Sequence, residues 1–395
     1  MILKNEQIIK RNKWSKKIQK RKQQKINIQK KKCYHQLKKY FFKIKFISVI
    51  LLMLLYIAFL KKKKKYNYHN YIQNDNKTDL IAEKIYNSTG KLSFNEFDKK
   101  FKKIDYSKYN NIDIGMSFNN DYYLLTTVTI ASILKNMANK TYVHIHIIET
   151  GDFLHETRKK LNSLKYKINN NSEFIFYNGS KAIDDFGKEI KNNTPYGVGE
   201  YARLLAPDLT NTDRIIVIDS GDIIVKKDLV EFYNMDLQDK LVWGITDPFA
   251  SCFADFIMHN KKNYINGGVL LFNSKKWREM EIYKDIVNFY KAFKFKGRLG
   301  LPIQQILNTF LPYLSVGILP LKYNFQYHPY ISASCVSVNS EQVKNARENE
   351  VIRHNNKLKP NRGEGEVSTW FYYANLTGFI DVLCQKFPSG CKNKS

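Results

Sequence analysis

The chain lacks acidic residues where its basic residues are densest. Residues 1–45 contain 17 Lys and Arg residues but a single acid, Glu6, and the run from Lys61 to Lys65 adds five more Lys residues. Of the net charge of +29, the first 65 residues therefore carry +21 and the remaining 330 carry +8. A block of like charge is normally solvated and extended. The charge excess is thus a property of the N-terminal segment and not of the chain as a whole.

A single long apolar run interrupts this basic region. Phe46 to Leu60 is 15 residues long and has no charge. The stems of Lys43 and Lys45 lengthen it to about 17 residues, near the lower limit for a bilayer-spanning helix. It lacks a small-residue cleavage site and lies far from Met1, which argues against a cleaved signal peptide. Because most of the Lys and Arg residues precede it, residues 1–45 are predicted to be cytoplasmic and residues beyond about 66 lumenal.

Two other interpretations of this region stay open from the sequence. The apolar run would suit a buried helix of a soluble protein, although the Lys clusters at both ends could not be buried with it. The basic tail would suit nucleic acid, but its place beside an apolar run favours the anionic lipids of the cytoplasmic leaflet. We therefore predict a single-pass type II protein of the Golgi or ER membrane, with no nucleic-acid partner.

Cysteine is also scarce. Only five residues are Cys, and four of them, Cys252, Cys335, Cys384 and Cys391, follow the apolar run. They permit two disulfides in three pairings, among which Cys384 with Cys391 would close a short loop, and free thiols remain the alternative. Asn-X-Ser/Thr acceptors, which are permissive of a secretory glycoprotein, occur at Asn76, Asn87, Asn139, Asn170, Asn178, Asn192, Asn375 and Asn393.

The chain has no internal repeat, and its hydrophobic share of 43% excludes a disordered protein. From Ile112 onward, short apolar runs alternate with helical patterns. Strands are predicted at Ile112 to Phe118, Tyr142 to Ile148, Phe174 to Tyr177, Arg214 to Ile218, Leu241 to Ile245, Val269 to Phe272, Ser315 to Leu321 and Val351 to Arg353. Helices are predicted at Leu124 to Met137, Phe153 to Leu164, around Ala202 to Leu205, Trp277 to Phe295 and Gln304 to Phe310.

This alternation predicts an α/β fold in which a mixed, mostly parallel sheet is covered on both faces. Ligands of such sheets bind outside the carboxyl ends of the strands. We predict a basic cytoplasmic tail (1–45), a transmembrane signal anchor (46–60), a lumenal stem (61–108), one catalytic domain (109–380) and a C-terminal tail (381–395).

Two carboxylates follow the strongest predicted strand. Asp219 and Asp222 are separated by Ser220 and Gly221 directly after the run that ends at Ile218. Two acids at a strand exit are costly unless a cation neutralises them, and a divalent metal carrying a diphosphate would do so. An Asp-rich turn without a metal is the alternative.

Two further segments supply complementary groups. His354 follows the strand at Val351 to Arg353 and is suited to be a third metal ligand, and Lys359 is suited to a phosphate. The pair Gly267-Gly268 after Asn266 would let a ligand approach the backbone closely. Taken singly, His354 also fits a structural residue, and the glycines also fit a simple turn.

Together these segments resemble glycosyltransferase family 8, from about Ile112 to Phe379. Several further motifs match in order: Asn119, Asp121 and Tyr122 its "D-x-x-Y"-like region, Tyr201-Ala-Arg203 its Y-x-R helix, Asp219 and Asp222 its Asp-x-Asp, Asn266-Gly-Gly its Asn-Ala-Gly, Trp277 the Trp after that strand, Gln304-Gln305-Ile-Leu-Asn308 its Asp-Gln-x-x-x-Asn, Leu319 to Asn324 its "lp-x-x-y-N", and His354 with Lys359-Pro360 its His…Lys-Pro-Trp.

The chain departs from this family at three positions. One extra residue lies between the two acids, and a bulge at Gly221 would restore the geometry. Gln304 stands in place of the usual Asp near the donor sugar, where it can bind a hydroxyl but cannot act as a carboxylate. Asn361 stands in place of the usual Trp. These departures keep open a catalytically inactive lumenal protein that binds nucleotide sugars or glycans on the same fold.

The resemblance implies a retaining GT-A hexosyltransferase that uses a UDP-sugar and Mn²⁺ or Mg²⁺. It implies metal ligation by Asp219, Asp222 and His354, and catalytic positions at Gln304 and Asn266. It implies donor binding by Asn119, Asp121, Tyr122, Arg203, Ser220, Asn266, Gly267, Gly268, Gln305 and Lys359. The expected acceptor is a glycan, a protein or a lipid.

Overall fold

The computed structural model describes residues 76–96, 104–151, 153–186, 199–247, 264–293, 302–311, 315–326, 340–356 and 359–391. The chain divides into two compact units, Met1–Lys77 and Thr78–Ser395. No helix within these described ranges is both long and apolar enough to cross a membrane. The predicted cytoplasmic tail and the predicted anchor at residues 46–60 lie outside the described ranges.

The described strands are β1 Lys91–Ser93, β2 Asn110–Phe118, β3 Thr141–Glu149, β4 Ser172–Asn178, β5 Ile215–Ile218, β6 Ile223–Val225, β7 Val242–Thr246, β8 Ile265–Phe272, β9 Val316–Ile318, β10 Phe325–Gln326 and β11 Ile352–His354. They form an eight-stranded sheet in the order β1-β4-β3-β2-β5-β8-β7-β9 and a three-stranded sheet in the order β10-β11-β6. In the large sheet β4, β3, β2 and β5 run parallel, whereas β8 runs antiparallel to both β5 and β7.

Helices follow most strands and connect them. They are α1 Asn76–Thr89, α2 Tyr123–Asn136, α3 His155–Ile168, α4 Ser180–Phe186, α5 Gly199–Ala202, α6 Ala206–Thr210, α7 Val230–Tyr233, α8 Ser274–Glu279, α9 Ile282–Phe293, α10 Pro302–Phe310, α11 Ser340–Glu348, α12 Val367–Leu376 and α13 Ile380–Lys386.

Apolar side chains cover both faces of the large sheet. Along β5, Ile216 and Ile218 pack in one core with α2 and α3, whereas Ile215 and Val217 pack in a second core with α9 and α10. Burial of each such side chain stabilises the fold by about 1.5–3 kcal/mol relative to exposure. This arrangement confirms the predicted mixed α/β sheet and explains why β5 reads as a continuous apolar run instead of an alternating one.

Part of the predicted stem belongs to the folded unit. β1 pairs antiparallel with β4, and Leu92 in β1 and Tyr86 in α1 are buried in the same core as α2 and α3. Residues 91–93 of the predicted stem therefore belong to the sheet, and the predicted domain bounds stay a prediction. The polar composition of this segment concealed a few apolar residues that suffice to dock one short helix and one edge strand.

Two predicted elements near the C-terminus also differ from the structure. The helix predicted from Trp277 to Phe295 is divided into α8 and α9, because Glu281 adopts a positive φ of 50° that a right-handed helix does not contain. The predicted tail from residue 381 contains most of α13, and a disulfide joins Cys384 to Cys391. Cys33, Cys252 and Cys335 lie outside the described ranges.

Candidate active site

A cavity of about 800 Å³ lies at the carboxyl ends of β2, β5 and β7. The acids that directly follow β5 and β7, Asp219 and Asp247, line it together with Ser117 of β2. Because β8 is antiparallel to its neighbours, its first residues reach the same edge of the sheet. Every residue predicted to bind metal or donor, or to take part in catalysis, lines this cavity except Gln305.

The two predicted metal-binding acids adjoin strands of different sheets. Asp219 follows β5 of the large sheet, where its backbone N–H donates to Gly268 O (2.8 Å), and Asp222 directly precedes β6 of the small sheet. Gly221 between them has a φ of 92°, and a Cβ there would lie 2.8 Å from Leu125 Cβ. The extra residue of the Asp-Ser-Gly-Asp motif thus forms a bend that only glycine accommodates, and both carboxylates still face the cavity.

His354 completes this group from the end of β11, which pairs antiparallel with β6. Its Nε2 lies 3.5 Å from Asp222 Oδ2 and 3.9 Å from Asp219 Oδ2. Its Nδ1 lies 3.0 Å from Asn324 Oδ1, and Asn324 Nδ2 in turn donates to Asn266 Oδ1 at 2.9 Å. Since an amide oxygen only accepts, Nδ1 carries a proton, and Nε2 faces the acids, where it donates a proton to them or offers its lone pair to a cation.

These three side chains fit a divalent cation. One ligand atom from each of Asp219, Asp222 and His354 lies within 4.8 Å of the others. Asp222 Oδ1 is buried and has no hydrogen-bond partner among the described residues, so a buried oxygen is left for a ligand. Two carboxylates with one imidazole suit Mn²⁺, which accepts both oxygen and imidazole nitrogen ligands.

Two cations contact the same acids. Lys359 Nζ bonds Asp222 Oδ2, and Arg203 bonds Asp219 Oδ1 and also donates to Gly267 O at 2.9 Å. Burial alone would raise the pKa of the Asp222 carboxyl, but Lys359 and His354 outweigh burial and hold this pKa well below its usual range. The cavity therefore combines an acid pair with two cations that a diphosphate would attract.

The cavity floor is a closed network of amides around Asp247. Gln304 Nε2 and Asn266 Nδ2 donate to Asp247 Oδ2 at 2.8 and 2.9 Å. Gln304 Oε1 accepts from Gly267 N at 3.0 Å and from Asn266 Nδ2 at 3.2 Å. Because these groups satisfy one another, their orientations are fixed before any ligand arrives.

The structure shifts the match between the glutamine pair in α10 and the family pattern by one residue. In the pattern Asp-Gln-x-x-x-Asn the Gln precedes the Asn by four residues, and Gln304 precedes Asn308 by four. Gln304 and Ile303 line the cavity, whereas Gln305 does not, and Asn308 binds Ile265 N and O at 2.8 Å each. Gln304 thus occupies the position of the family Gln, and an apolar residue, Ile303, occupies that of the Asp.

The turn between β2 and α2 also lines the cavity and carries the residues predicted to meet the nucleotide base. Asn119 Oδ1 accepts from Asp121 N at 3.1 Å and fixes the turn. Tyr122 is 41% exposed and lines the cavity. An exposed ring at a cavity edge is available to stack on a planar ligand.

Two residues that line the cavity, and one fully buried residue that contacts His354, were not predicted as site residues from the sequence. Asp247 follows a predicted strand, as Asp219 does, and the same rule would have found it. Asn324 was matched to the family pattern but received no role. Glu200 gives no such signal: it lies on the short helix of the Y-x-R motif and faces the cavity, and burial raises its pKa to about 7, a shift that Arg203 opposes and Asp219 and Asp222 reinforce.

Solved structures share this architecture. The galactosyltransferase LgtC, solved with donor and acceptor sugar analogues, matches with a TM-score of 0.54 and 22% identity, over 68% of this chain and 95% of that chain. The bifunctional glycosyltransferase WbbM matches with a TM-score of 0.59 and 19% identity, over 73% of this chain and 53% of that chain. These likenesses define a GT-A-like glycosyltransferase fold.

The amino-acid sequence identifies the family. The profile of glycosyl transferase family 8 matches residues 113–361, and the chain belongs to this family. General stress protein A of Bacillus subtilis is 23% identical over 261 residues, which cover 62% of this chain and 87% of that protein. Glycosyltransferase GlyF of Streptococcus pneumoniae is 26% identical over 123 residues, 31% of this chain and 28% of that protein. The chain thus spans less than a third of the length of GlyF.

Proposed function

We propose that this glycosyltransferase moves a hexose-type sugar from a UDP-sugar to a glycan, protein or lipid acceptor with retention of configuration, using Mn²⁺ or Mg²⁺. The observation that carries the proposal is the convergence of Asp219, Asp222 and His354 in one cavity. The cation would neutralise charge on the departing diphosphate and so lower the barrier to breaking the sugar bond.

The residues around the acids would bind and orient the donor. Arg203 and Lys359 hold the acids in the structure described, and both lie where they would bind phosphate oxygens as negative charge develops there. Tyr122 would stack on the base. The amides of Asn266 and Gln304, already fixed by Asp247, would present hydrogen bonds to sugar hydroxyls with little loss of conformational freedom.

The cavity floor favours attack from the leaving-group face. Gln304 is an amide and Ile303 is apolar, so neither can form a glycosyl ester. Asp247 Oδ2 already accepts two amide hydrogen bonds, which makes that oxygen a poor nucleophile. The acceptor hydroxyl would then approach on the side of the diphosphate and transfer its proton to the departing phosphate.

A UDP-release assay tests this proposal. The 395-residue chain with Mn²⁺ should release UDP from at least one member of a panel of UDP-glucose, UDP-galactose, UDP-N-acetylglucosamine and UDP-xylose. Asp222→Asn should reduce the rate at least about 100-fold, because one metal ligand is lost. Equal release by the variant, or by the chain in EDTA, would refute the metal-dependent mechanism.

A binding protein without turnover is the second candidate function. The apolar Ile303 removes a carboxylate that the family pattern has near the donor sugar, and this observation favours it. Tight binding of UDP with Mn²⁺ in calorimetry, combined with no UDP release from any donor or with any acceptor, would establish the binding function and exclude the enzyme.

A further inference from the structure

Residues 384–391 form a loop that a disulfide closes. Cys384 in α13 is bonded to Cys391 at the end of the 3₁₀ turn Pro388–Cys391, with 5.5 Å between their Cα atoms. We call residues 384–391 the disulfide loop. Cys384 and Cys391 pack beside Trp370, Tyr373 and Leu383 in a small core with α12, so the loop is anchored on a folded surface.

The backbone of the disulfide loop is in direct contact with the backbone of the turn that follows Lys359. A Cβ on Gly390 would lie 2.9 Å from Asn361 Cα and 3.0 Å from Pro360 O. A Cβ on Gly363, whose φ is 81°, would lie 3.0 Å from Ser389 O. The two backbones therefore touch without side chains between them, and a displacement of one must displace the other.

This turn forms one wall of the cavity. Lys359, Asn361 and Arg362 line it, and Lys359 Nζ bonds Asp222 Oδ2. Local hydrogen bonds shape the turn: Arg362 N donates to Lys359 O at 2.8 Å, and Lys359 N donates to Glu364 Oε2 at 3.1 Å. These bonds are local to the turn and do not set its distance from the turn between β2 and α2.

The same loop also contacts the turn between β2 and α2. Lys386 Nζ donates to Asp121 O at 3.2 Å, and Asp121 lies in the β2–α2 turn with Asn119 and Tyr122. The loop of residues 384–391 thus bonds one cavity-lining turn through Lys386 and packs on the other through Gly390 and Ser389. The family resemblance assigned no role to this segment.

We propose that the disulfide loop is a positioning element for the nucleotide: it fixes the Lys359 turn against the β2–α2 turn, so that Lys359 meets the diphosphate while Tyr122 meets the base. The Cys residues act through Lys359 and touch no substrate themselves. This inference rests on the proposed use of a UDP-sugar, and UDP with Mn²⁺ is the probe that tests it.

The decisive experiment is a double-mutant cycle on UDP affinity, measured by calorimetry with the 395-residue chain and Mn²⁺ well below the unfolding temperature. Cys384→Ser combined with Cys391→Ser should weaken UDP binding about tenfold, which is about 1.4 kcal/mol. In a Lys359→Gln background the same pair should weaken it less than about twofold, because the residue through which the loop acts is gone. A purely stabilising disulfide would lower the unfolding temperature equally in both backgrounds and leave UDP affinity unchanged.

Gly390→Ala tests the same contact with the disulfide intact, in case the Ser variants fail to fold. Its methyl group pushes on Asn361 and Pro360, and we expect weaker UDP binding. Gln385→Ala, an exposed residue of the same loop, is the matched control and should bind UDP as the parent chain does. Unchanged affinity in Gly390→Ala, or equal losses in both Lys359 backgrounds, would overturn the inference, whereas absence of UDP binding by the parent chain would refute the proposed function itself.

Discussion

Glu200 faces the cavity, and no described residue donates a hydrogen bond to its carboxyl group. Arg203, one turn further along, instead binds Asp219 and Gly267. Burial raises the pKa of Glu200 from 4.5 to about 7, although Arg203 opposes the shift. A carboxyl group in this position has unused hydrogen-bonding capacity beside the acids and faces the cavity.

The titration of Glu200 makes stability depend on pH. Between pH 4.5 and about 7 the folded chain holds the proton of this group more tightly than the unfolded chain does, so stability falls as pH rises through this window. The full change is about 3 kcal/mol, and it is complete above pH 7. Glu200→Gln removes it, and we expect the variant to be more stable than the parent chain at pH 8 and nearly equal to it at pH 4.5.

Urea unfolding at both pH values, in EDTA so that no cation contributes, measures this difference. Glu341→Gln, an exposed Glu of α11, is the control and should unfold as the parent chain does at both values. A Glu200→Gln variant with the same stability difference at pH 4.5 and pH 8 would contradict the assignment.

Position 268 requires glycine because His354 lies beside it, and not because of its backbone conformation. A Cβ there would overlap the imidazole ring of His354, whereas a Cβ on Gly267 would lie 3.5 Å from Gln304 Cβ, an ordinary contact. Gly268→Ala should therefore displace His354 and weaken Mn²⁺ binding about 10- to 100-fold. Gly267→Ala should leave Mn²⁺ affinity nearly unchanged. Equal affinities of the two variants in metal titrations would count against His354 as a ligand.

At the scale of single elements, β11 depends on a buried charge network. Arg353 is bonded to Glu350 and Glu366, and Lys226 next to β6 donates to the same two acids at 3.0 and 3.2 Å. Removing one member leaves buried charge uncompensated. The network holds β11 against β6 and so fixes the position of His354 relative to Asp222.

Arg353→Met should destabilise the fold by about 3–5 kcal/mol, since the buried acid Glu350 loses its guanidinium partner. Thermal unfolding is the measurement. Glu231→Gln, which breaks a largely exposed contact with Lys322, serves as the comparison and should cost less than about 1 kcal/mol. Similar losses for both variants would show that the network around Arg353 contributes no more than a surface pair.

The sequence predicted most elements of the large sheet, and the exceptions have identifiable causes. β2, β3 and β5 were found within two residues of their ends because their apolar runs are buried on both faces. β1 was missed because its three residues include a single apolar side chain, Leu92, and β6 was missed because only four residues separate it from the end of β5. The break at Glu281 was missed because a left-handed residue other than glycine leaves no compositional sign.

At the site, residue type was predictable but register was not. Asp219, Asp222 and His354 were found because strand exits, charge and imidazole are visible in the sequence. The positions of Gln304 and Gln305 were confused because two adjacent identical side chains differ only in the direction that the helix gives them. The burial of Glu200 and the contacts of the disulfide loop were not predicted, because both arise from contacts between distant segments.

For the whole molecule, we propose that residues 46–60 anchor the chain in the Golgi or ER membrane, with the catalytic domain in the lumen. The Cys384–Cys391 bond supports this proposal, because disulfides persist in oxidising compartments. Deleting residues 46–60 should release the chain from carbonate-washed membranes. Deleting residues 1–42 should leave it membrane-bound, because the apolar run supplies the binding energy. A parent chain found entirely in the wash would refute the anchor.

The acids of the cavity also have a mechanical consequence. Asp219 extends from the eight-stranded sheet, whereas Asp222 and His354 extend from the three-stranded one. An ion bound by all three would add a crosslink between the two sheets. Addition of Mn²⁺ should therefore slow amide hydrogen exchange along β6 and β11. The exchange rates of the smaller sheet would then indicate whether a metal ion is bound.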